Sequence, residues 1–204
     1  MGSPYRLRRI FTPFVTWIAK VSYKVGLKPN HITILMLLTS ITACVVVVFT
    51  DLFWLFGILT FLTGILDGVD GSLARLSGQS THFGSFFDSS MDRISEIMLY
   101  LGLFLNDGYF LFGSFLHQGL ILMLSFASLM ISYVRSRAEN LSDSDFDVGV
   151  FARSERLFML FLSCVIPLRI VYSIGILILS VAVTATMIYR ILYISKKLAI
   201  RQKE

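Results

Sequence analysis

Apolar segments long enough to cross a lipid bilayer occupy most of this chain. A membrane-spanning helix needs about 20 apolar residues in succession, and about six segments meet or approach that length. Hydrophobic residues make up 55% of the 204 residues and charged residues 15%, with a mean hydropathy of +0.76. Soluble domains are much less apolar and carry more charge. The sequence therefore predicts an all-α integral membrane protein.

The predicted spans belong to one domain, residues 1–204, because no linker, low-complexity tract or clear repeat divides the chain. About six transmembrane helices are expected between residues 31 and 197. The fifth is short and contains Pro167. The expected spans are residues 31–50, 52–75, 82–105, 109–134, 155–168 and 171–194.

Residues 5–27 precede the first span and combine cations with apolar side chains at helical spacing, among them Phe11, Phe14, Trp17 and Ile18. This pattern predicts an amphipathic helix that lies in the membrane interface next to the spans. The alternative is a cytoplasmic helix that packs on the rest of the protein.

Lys and Arg concentrate on one side of the predicted bundle. If the N-terminus is cytoplasmic, the opposite side receives little besides Asp51, Asp107 and Arg169. The positive-inside rule then predicts a multi-pass plasma-membrane protein with both termini in the cytoplasm. The net charge of +5 is explained by this rule and by anionic lipid head groups, so no nucleic-acid partner is expected.

Four aspartates, Asp67, Asp70, Asp88 and Asp92, interrupt the apolar pattern. Spacings of three and four residues put each pair on one face of its helix. The short connection "LSGQSTHF" predicts that the two helices pack antiparallel, so that all four carboxylates face one cavity. Because the basic residues assign that end of the helices to the cytoplasm, the cavity is expected to open there.

Four like charges near a membrane interior require compensation, because each costs about 3 kcal/mol on insertion scales. Hard divalent cations such as Mg²⁺ or Mn²⁺ prefer ligand sets made of oxygen, and two such ions balance four carboxylates. The aspartates could instead pair with Arg75, Arg93 or helix N-termini. Transport of a divalent cation is a further alternative, although a transporter would spread acids through the membrane.

Small residues beside the acids predict a cleft. Gly71, Ala74 and Gly84 lie on the two inward faces and leave room for a planar ring or a diphosphate, with Arg75 at the mouth to bind phosphate oxygens. Close packing of membrane helices is the alternative explanation for glycine and alanine at these positions.

Eight residues stand at fixed spacing: Asp67-x-x-Asp70-Gly71-x-x-Ala74-Arg75, then eight residues, then Gly84-x-x-x-Asp88-x-x-x-Asp92. This string resembles the signature of the CDP-alcohol phosphotransferases, and the "PNHIT" sequence before the first span adds to the likeness. The resemblance implies a membrane-bound homodimeric enzyme that transfers a phosphatidyl-type group from a CDP-linked lipid to an alcohol and releases CMP.

The resemblance also implies roles for single residues. Asp67, Asp70 and Asp88 would bind one metal ion. Asp67, Asp88 and Asp92 would bind the second, and Asp92 would also be the general base. The residues implied for binding the CDP-lipid are Asn30, Thr33, Gly71, Ala74, Arg75, Thr81 and Gly84.

Arginines at two span ends suggest the acceptor. Arg135 and Arg137 end the fourth span, and Arg153 and Arg156 begin the fifth, so their guanidinium groups could bind a phosphate. The segments "RSRAE" and "RSERL" resemble the phosphatidylinositol phosphate synthases and archaetidylinositol phosphate synthases, which use inositol 1-phosphate with CDP-diacylglycerol or CDP-archaeol. The positive-inside rule also explains these arginines. Glycerol 3-phosphate is the alternative acceptor.

Overall fold

Helices are the only regular secondary structure in the part of the chain that the structure describes, which confirms the all-α prediction. The computed structural model describes residues 7–106, 110–141 and 151–201. The helices in these ranges are α1 (Leu7–Lys24), α2 (Pro29–Thr50), α3 (Phe53–Ser77), α4 (His82–Leu105), α5 (Ser114–Leu141), α6 (Arg153–Val165) and α7 (Arg169–Arg201).

Four of the described helices, α2, α3, α5 and α7, are long and apolar enough to cross a membrane. Helix α4 has 24 residues, but it contains charged side chains such as Asp88, Asp92 and Glu96. Helix α6 has 13 residues; at 1.5 Å per residue it is about 20 Å long, less than the roughly 30 Å of a bilayer core. The fold is that of a membrane protein, and the full set of six spans stays a prediction.

The turn between α3 and α4 brings the two acidic segments together. Helix α3 ends at Ser77 and is followed by the capping residue Gly78, which has a φ of +66°. Glycine adopts this left-handed conformation without a steric penalty. Thr81 then caps α4 by accepting a hydrogen bond from the Gly84 backbone N–H at 3.0 Å. The last turns of α3 therefore lie beside the first turns of α4.

Helix α1 packs on α3 through one face. Val15 and Ala19 are buried there, and Gly68 makes room for Val15, because a Cβ on Gly68 would lie 3.2 Å from the Val15 side chain. The opposite face exposes Phe14 and Trp17 to the surroundings. The helix thus has protein on one side and an apolar surface on the other. Its location in the membrane interface stays a prediction, and residues 5 and 6 of the predicted segment lie outside the described residues.

Close packing of α2 against α4 depends on Gly102. A Cβ at this position would lie 2.9 Å from the Cα atom of Cys44 and 2.9 Å from the Val47 side chain. Real Cβ atoms do not approach backbone atoms so closely, so any side chain here would push the two helices apart.

We expect Gly102→Ala to lower the thermal unfolding temperature of the purified protein, because overpacking costs about 1–3 kcal/mol. Gly119→Ala on α5 is the matched control, since a Cβ there meets no atom within 4 Å. The control should be as stable as the parent or more so, because alanine favours helices. Equal unfolding temperatures for the two variants would contradict the close approach.

Candidate active site

Three aspartates meet at the junction of α3 and α4. Asp67, Asp70 and Asp88 each contribute a carboxylate oxygen, and these oxygens lie within 4.8 Å of one another. Oxygens that share one divalent cation lie at most about 4 to 5 Å apart, because each is about 2.0–2.6 Å from the ion. The three side chains therefore have the chemistry and the spacing to hold a hard divalent cation.

The buried member of this cluster, Asp70, is oriented by neighbouring donors. The Thr33 hydroxyl on α2 donates to Asp70 Oδ2 at 3.0 Å, and the backbone N–H of Gly71 donates to Asp70 Oδ1 at 2.6 Å. Thr33 is itself buried. The first turn of α2 thus fixes one carboxylate of the cluster, which gives the "PNHIT" sequence a structural function.

The fourth aspartate, Asp92, is linked to the cluster through an arginine. Arg153 Nη1, at the start of α6, lies 2.5 Å from Asp67 Oδ1 and 2.5 Å from Asp92 Oδ1. One guanidinium group therefore bridges a carboxylate of α3 and a carboxylate of α4. It supplies positive charge beside both Asp67 and Asp92.

A cavity of about 420 Å³ opens over these groups and has a polar and an apolar side. Asp67, Asp88 and Asp92 form the polar side. Phe11 of α1, Phe61 of α3 and Phe158 of α6 line the apolar side, and their rings lie 5.5–6.3 Å apart. An amphiphilic ligand with a charged head and an apolar tail matches this distribution.

The residues predicted to bind the CDP-lipid divide into two groups. Gly71 and Arg75 line the cavity, and Arg75 Nη2 donates to Ser72 Oγ at 3.2 Å. Asn30 and Gly84 lie beside each other at the adjoining ends of α2 and α4, because a Cβ on Gly84 would be 3.9 Å from Asn30 Oδ1. The predicted residues outside the cavity lining are Asn30, Thr33, Ala74, Thr81 and Gly84.

The structure brings two of the four predicted acceptor arginines to the cavity. Arg135 and Arg153 lie in its wall. Arg137 is exposed near the end of α5. Arg156 is only 1% exposed and forms hydrogen bonds of 2.7 and 2.8 Å to the two carboxylate oxygens of Glu96. Arg156 is therefore directed away from the cavity and towards α4.

Glu96 is the charged residue that the sequence analysis missed. It is 5% exposed, it receives both bonds from Arg156, and it accepts a third from the Tyr100 hydroxyl at 2.9 Å. The signal is present in "DRISE", where Glu96 follows Asp92 by four residues and so shares its helix face.

Comparison with known proteins agrees with this geometry. The sequence profile of the CDP-alcohol phosphatidyltransferases matches residues 27–189. The chain belongs to this family. An archaetidylinositol phosphate synthase of Pyrococcus horikoshii is 28% identical over 181 residues, which cover 89% of this chain and 90% of that protein. A phosphatidylinositol phosphate synthase of Mycobacteroides abscessus is 31% identical over 153 residues, covering 74% and 68%.

Solved structures show the same fold. The phosphatidylinositol phosphate synthase of Mycobacterium tuberculosis with CDP-DAG bound has a TM-score of 0.76 and 27% identity, covering 88% of this chain and 92% of that one. The structure of that enzyme with manganese and citrate has a TM-score of 0.77, covering 88% of each chain. The protein is thus a transferase of phospholipid synthesis. Like its family it uses divalent cations, and the spacing of the aspartate cluster suits it to bind one.

We expect Asp67→Asn to weaken Mn²⁺ binding by about tenfold or more, because a carboxylate of the cluster is lost. Mn²⁺ binding is measured by calorimetry on purified protein. Asp51→Asn is the matched control: Asp51 ends α2 far from the cluster, and asparagine tolerates its left-handed backbone, with φ of +54°. Unchanged Mn²⁺ affinity in Asp67→Asn would contradict the assigned ligand set.

Proposed function

We propose that the protein transfers a phosphatidyl or archaetidyl group from CDP-diacylglycerol or CDP-archaeol to inositol 1-phosphate and releases CMP. One observation carries the proposal: a single cavity is lined by Asp67 and Asp88 of the carboxylate cluster and by two arginines, Arg135 and Arg153, while the third member of the cluster, Asp70, is buried outside the lining. The carboxylates suit a diphosphate that reacts in the presence of cations, and the arginines suit an acceptor that already carries a phosphate.

The donor diphosphate would bind at the carboxylates, with its lipid chains towards the phenylalanines. Asp67, Asp70 and Asp88 would hold one divalent cation, and a second would use Asp67, Asp88 and Asp92. Bound cations would neutralise the diphosphate and stabilise the departing phosphate of CMP. The residues proposed to surround the cytidine diphosphate and the lipid-linked phosphate are Asn30, Thr33, Gly71, Ala74, Arg75, Thr81 and Gly84.

The acceptor phosphate would bind to Arg153 and Arg135, with Arg137 near the entrance. Planar guanidinium groups form two parallel bonds with phosphate oxygens, which favours a phosphorylated alcohol over free inositol. The names of the relatives in Pyrococcus horikoshii and Mycobacteroides abscessus support inositol phosphate as the acceptor. Glycerol 3-phosphate is the second candidate, because the same arginines would hold its phosphate.

Asp92 would remove the proton from the attacking hydroxyl group. The hydroxyl oxygen then forms a bond to the lipid-linked phosphorus, the bond from that phosphorus to the CMP oxygen breaks, and the hydroxyl proton passes to the Asp92 carboxylate. Asp92 lies in the cavity wall and contacts Arg153. The proposed base and the arginine proposed to bind the acceptor phosphate are thus neighbours, as this step requires.

We further propose that the cavity opens to the cytoplasm, that both termini are cytoplasmic and that the enzyme is a homodimer in the plasma membrane. The distribution of Lys and Arg supports the orientation. The homodimer rests on the resemblance to the family.

The proposal is tested by CMP release from a CDP-linked lipid with Mg²⁺ or Mn²⁺. Inositol 1-phosphate, free inositol and glycerol 3-phosphate are compared as acceptors. We expect CMP release with inositol 1-phosphate and little CMP release with free inositol, because free inositol has no phosphate for the arginines to bind. Release with glycerol 3-phosphate alone would overturn the proposed acceptor.

Asp92→Asn should abolish CMP release, because the amide cannot accept the hydroxyl proton. CDP-lipid binding should stay close to that of the parent. Binding of the CDP-lipid is measured separately by calorimetry. Turnover at the parent rate in Asp92→Asn would contradict the assignment of the general base.

A further inference from the structure

We propose that Glu96 and Arg156 are positioning residues, which fix α6 relative to α4 so that Arg153 reaches Asp67 and Asp92. The role of the pair in acceptor use rests on the proposed function, whereas its effect on the carboxylates does not. The proposal gives Arg156 a different function from the phosphate contact expected from sequence: it acts through Arg153.

The pair is an interhelical connection in which the charges are matched and both carboxylate oxygens are used. Arg156 Nε donates to Glu96 Oε1 at 2.7 Å, and Arg156 Nη2 donates to Glu96 Oε2 at 2.8 Å. Two parallel bonds between planar groups fix direction as well as distance. Both side chains are buried, at 1% and 5% exposure, so water does not loosen the contact.

The pair lies one helical turn from the active-site contact. Glu96 follows Asp92 by four residues on α4, and Arg156 follows Arg153 by three residues on α6. The two helices therefore run in the same direction at this contact, and each step advances by about one turn. Fixing Glu96 against Arg156 consequently fixes the position along the helix axis at which Arg153 contacts Asp92.

Arg156 also holds the chain that enters α6. Its Nη1 atom donates to the backbone carbonyl of Phe151 at 3.2 Å, just ahead of the first residue of the helix. Arg153 is that first residue. The same guanidinium group thus connects α4 to the backbone two residues before Arg153.

Tyr100 of α4 and Ser128 of α5 help to hold Glu96 in place. Tyr100 on α4 donates its hydroxyl proton to Glu96 Oε1 at 2.9 Å, and its oxygen lies 3.2 Å from Ser128 Oγ on α5. Glu96 is therefore held from two sides. A carboxylate restrained in this way can act as a fixed point for α6.

The consequence concerns the charge between Asp67 and Asp92. Arg153 contacts both carboxylates, so it competes with any cation that uses them. If the Glu96 and Arg156 pair keeps Arg153 beside Asp67 and Asp92, removing the pair must reduce the competition between Arg153 and a cation for these carboxylates. Because Glu96 and Arg156 carry opposite charges, removing both together leaves the local net charge unchanged.

The test measures Mn²⁺ binding by calorimetry in three variants of the full-length protein. Arg153→Gln should raise Mn²⁺ affinity about fivefold, since the loss of an ion pair in a partly exposed site corresponds to about 1 kcal/mol. Glu96→Leu combined with Arg156→Met should raise it by a similar factor, and apolar replacements of a buried pair commonly preserve the fold. All three changes together should match Arg153→Gln alone, because the pair acts through Arg153.

The matched control is Tyr172→Phe. It removes another buried interhelical hydrogen bond, the 2.7 Å contact between His117 Nε2 on α5 and the Tyr172 hydroxyl on α7. It should leave Mn²⁺ affinity unchanged. Parent affinity in the Glu96→Leu and Arg156→Met variant, multiplied effects in the triple variant, or a rise in the control as well would each overturn the proposal.

A conservative variant decides the matter if the apolar pair fails to fold. Arg156→Lys keeps the charge but cannot form both bonds to Glu96, so it should raise Mn²⁺ affinity by a smaller factor. That rise should vanish in the Arg153→Gln background. Parent affinity in Arg156→Lys, or a rise that persists without Arg153, would overturn the proposal.

Steady-state kinetics test the positioning role of Glu96 and Arg156 separately from the proposed function. With the acceptor that the parent enzyme uses, the pair variant should raise the acceptor KM about tenfold and leave the CDP-lipid KM unchanged. Equal increases in both constants would overturn the positioning role. If the parent uses no inositol 1-phosphate, the proposed function fails while Mn²⁺ binding still decides the pair.

Discussion

The concentration of carboxylates at one end of an apolar helix bundle is the constraint on which the rest of the structure depends. Asp67, Asp70, Asp88 and Asp92 come from one helix hairpin, and nearby donors compensate them in different ways. Thr33 and a backbone N–H bind Asp70, whereas the Arg153 guanidinium bridges Asp67 and Asp92. Because Thr33 comes from α2 and Arg153 from α6, the packing of both helices serves the acidic site.

Helices α4 and α6 contact each other through two groups of charged side chains, one helical turn apart. One group is Glu96 with Arg156, and the other is Arg153 with Asp67 of α3 and Asp92. Glu96 and Arg156 carry opposite charges and are joined by direct hydrogen bonds. Arg153 bridges two aspartates, Asp67 and Asp92, so one guanidinium group faces two carboxylates and leaves negative charge that cations can neutralise. A buried pair is weak evidence for stability by itself. Its position one helical turn from the Arg153 contact favours the proposed positioning role, because a fixed pair would fix where the bridging Arg153 guanidinium lies.

Sequence reasoning identifies the features that depend on local periodicity. The spacing of the four aspartates and the short turn at Gly78 are enough to predict the acidic cluster, and the all-helical fold follows from the apolar segments. Arg156 shows the limit of this reasoning. Its i+3 spacing from Arg153 puts both residues near one face, but their partners come from helices distant in the sequence. Only the three-dimensional structure shows that Arg153 meets Asp67 and Asp92 while Arg156 meets Glu96.

The proposed active site depends most directly on a divalent cation at the aspartate cluster and on a movement of Arg153 when that cation binds. Anomalous X-ray diffraction from crystals of the protein soaked in Mn²⁺ measures both features in one experiment. We expect a manganese peak bound by Asp67, Asp70 and Asp88, with the Arg153 guanidinium no longer bridging Asp67 and Asp92 once a second ion uses those carboxylates. A peak bound by other residues, or an absence of manganese at the cluster at saturating Mn²⁺, would contradict it.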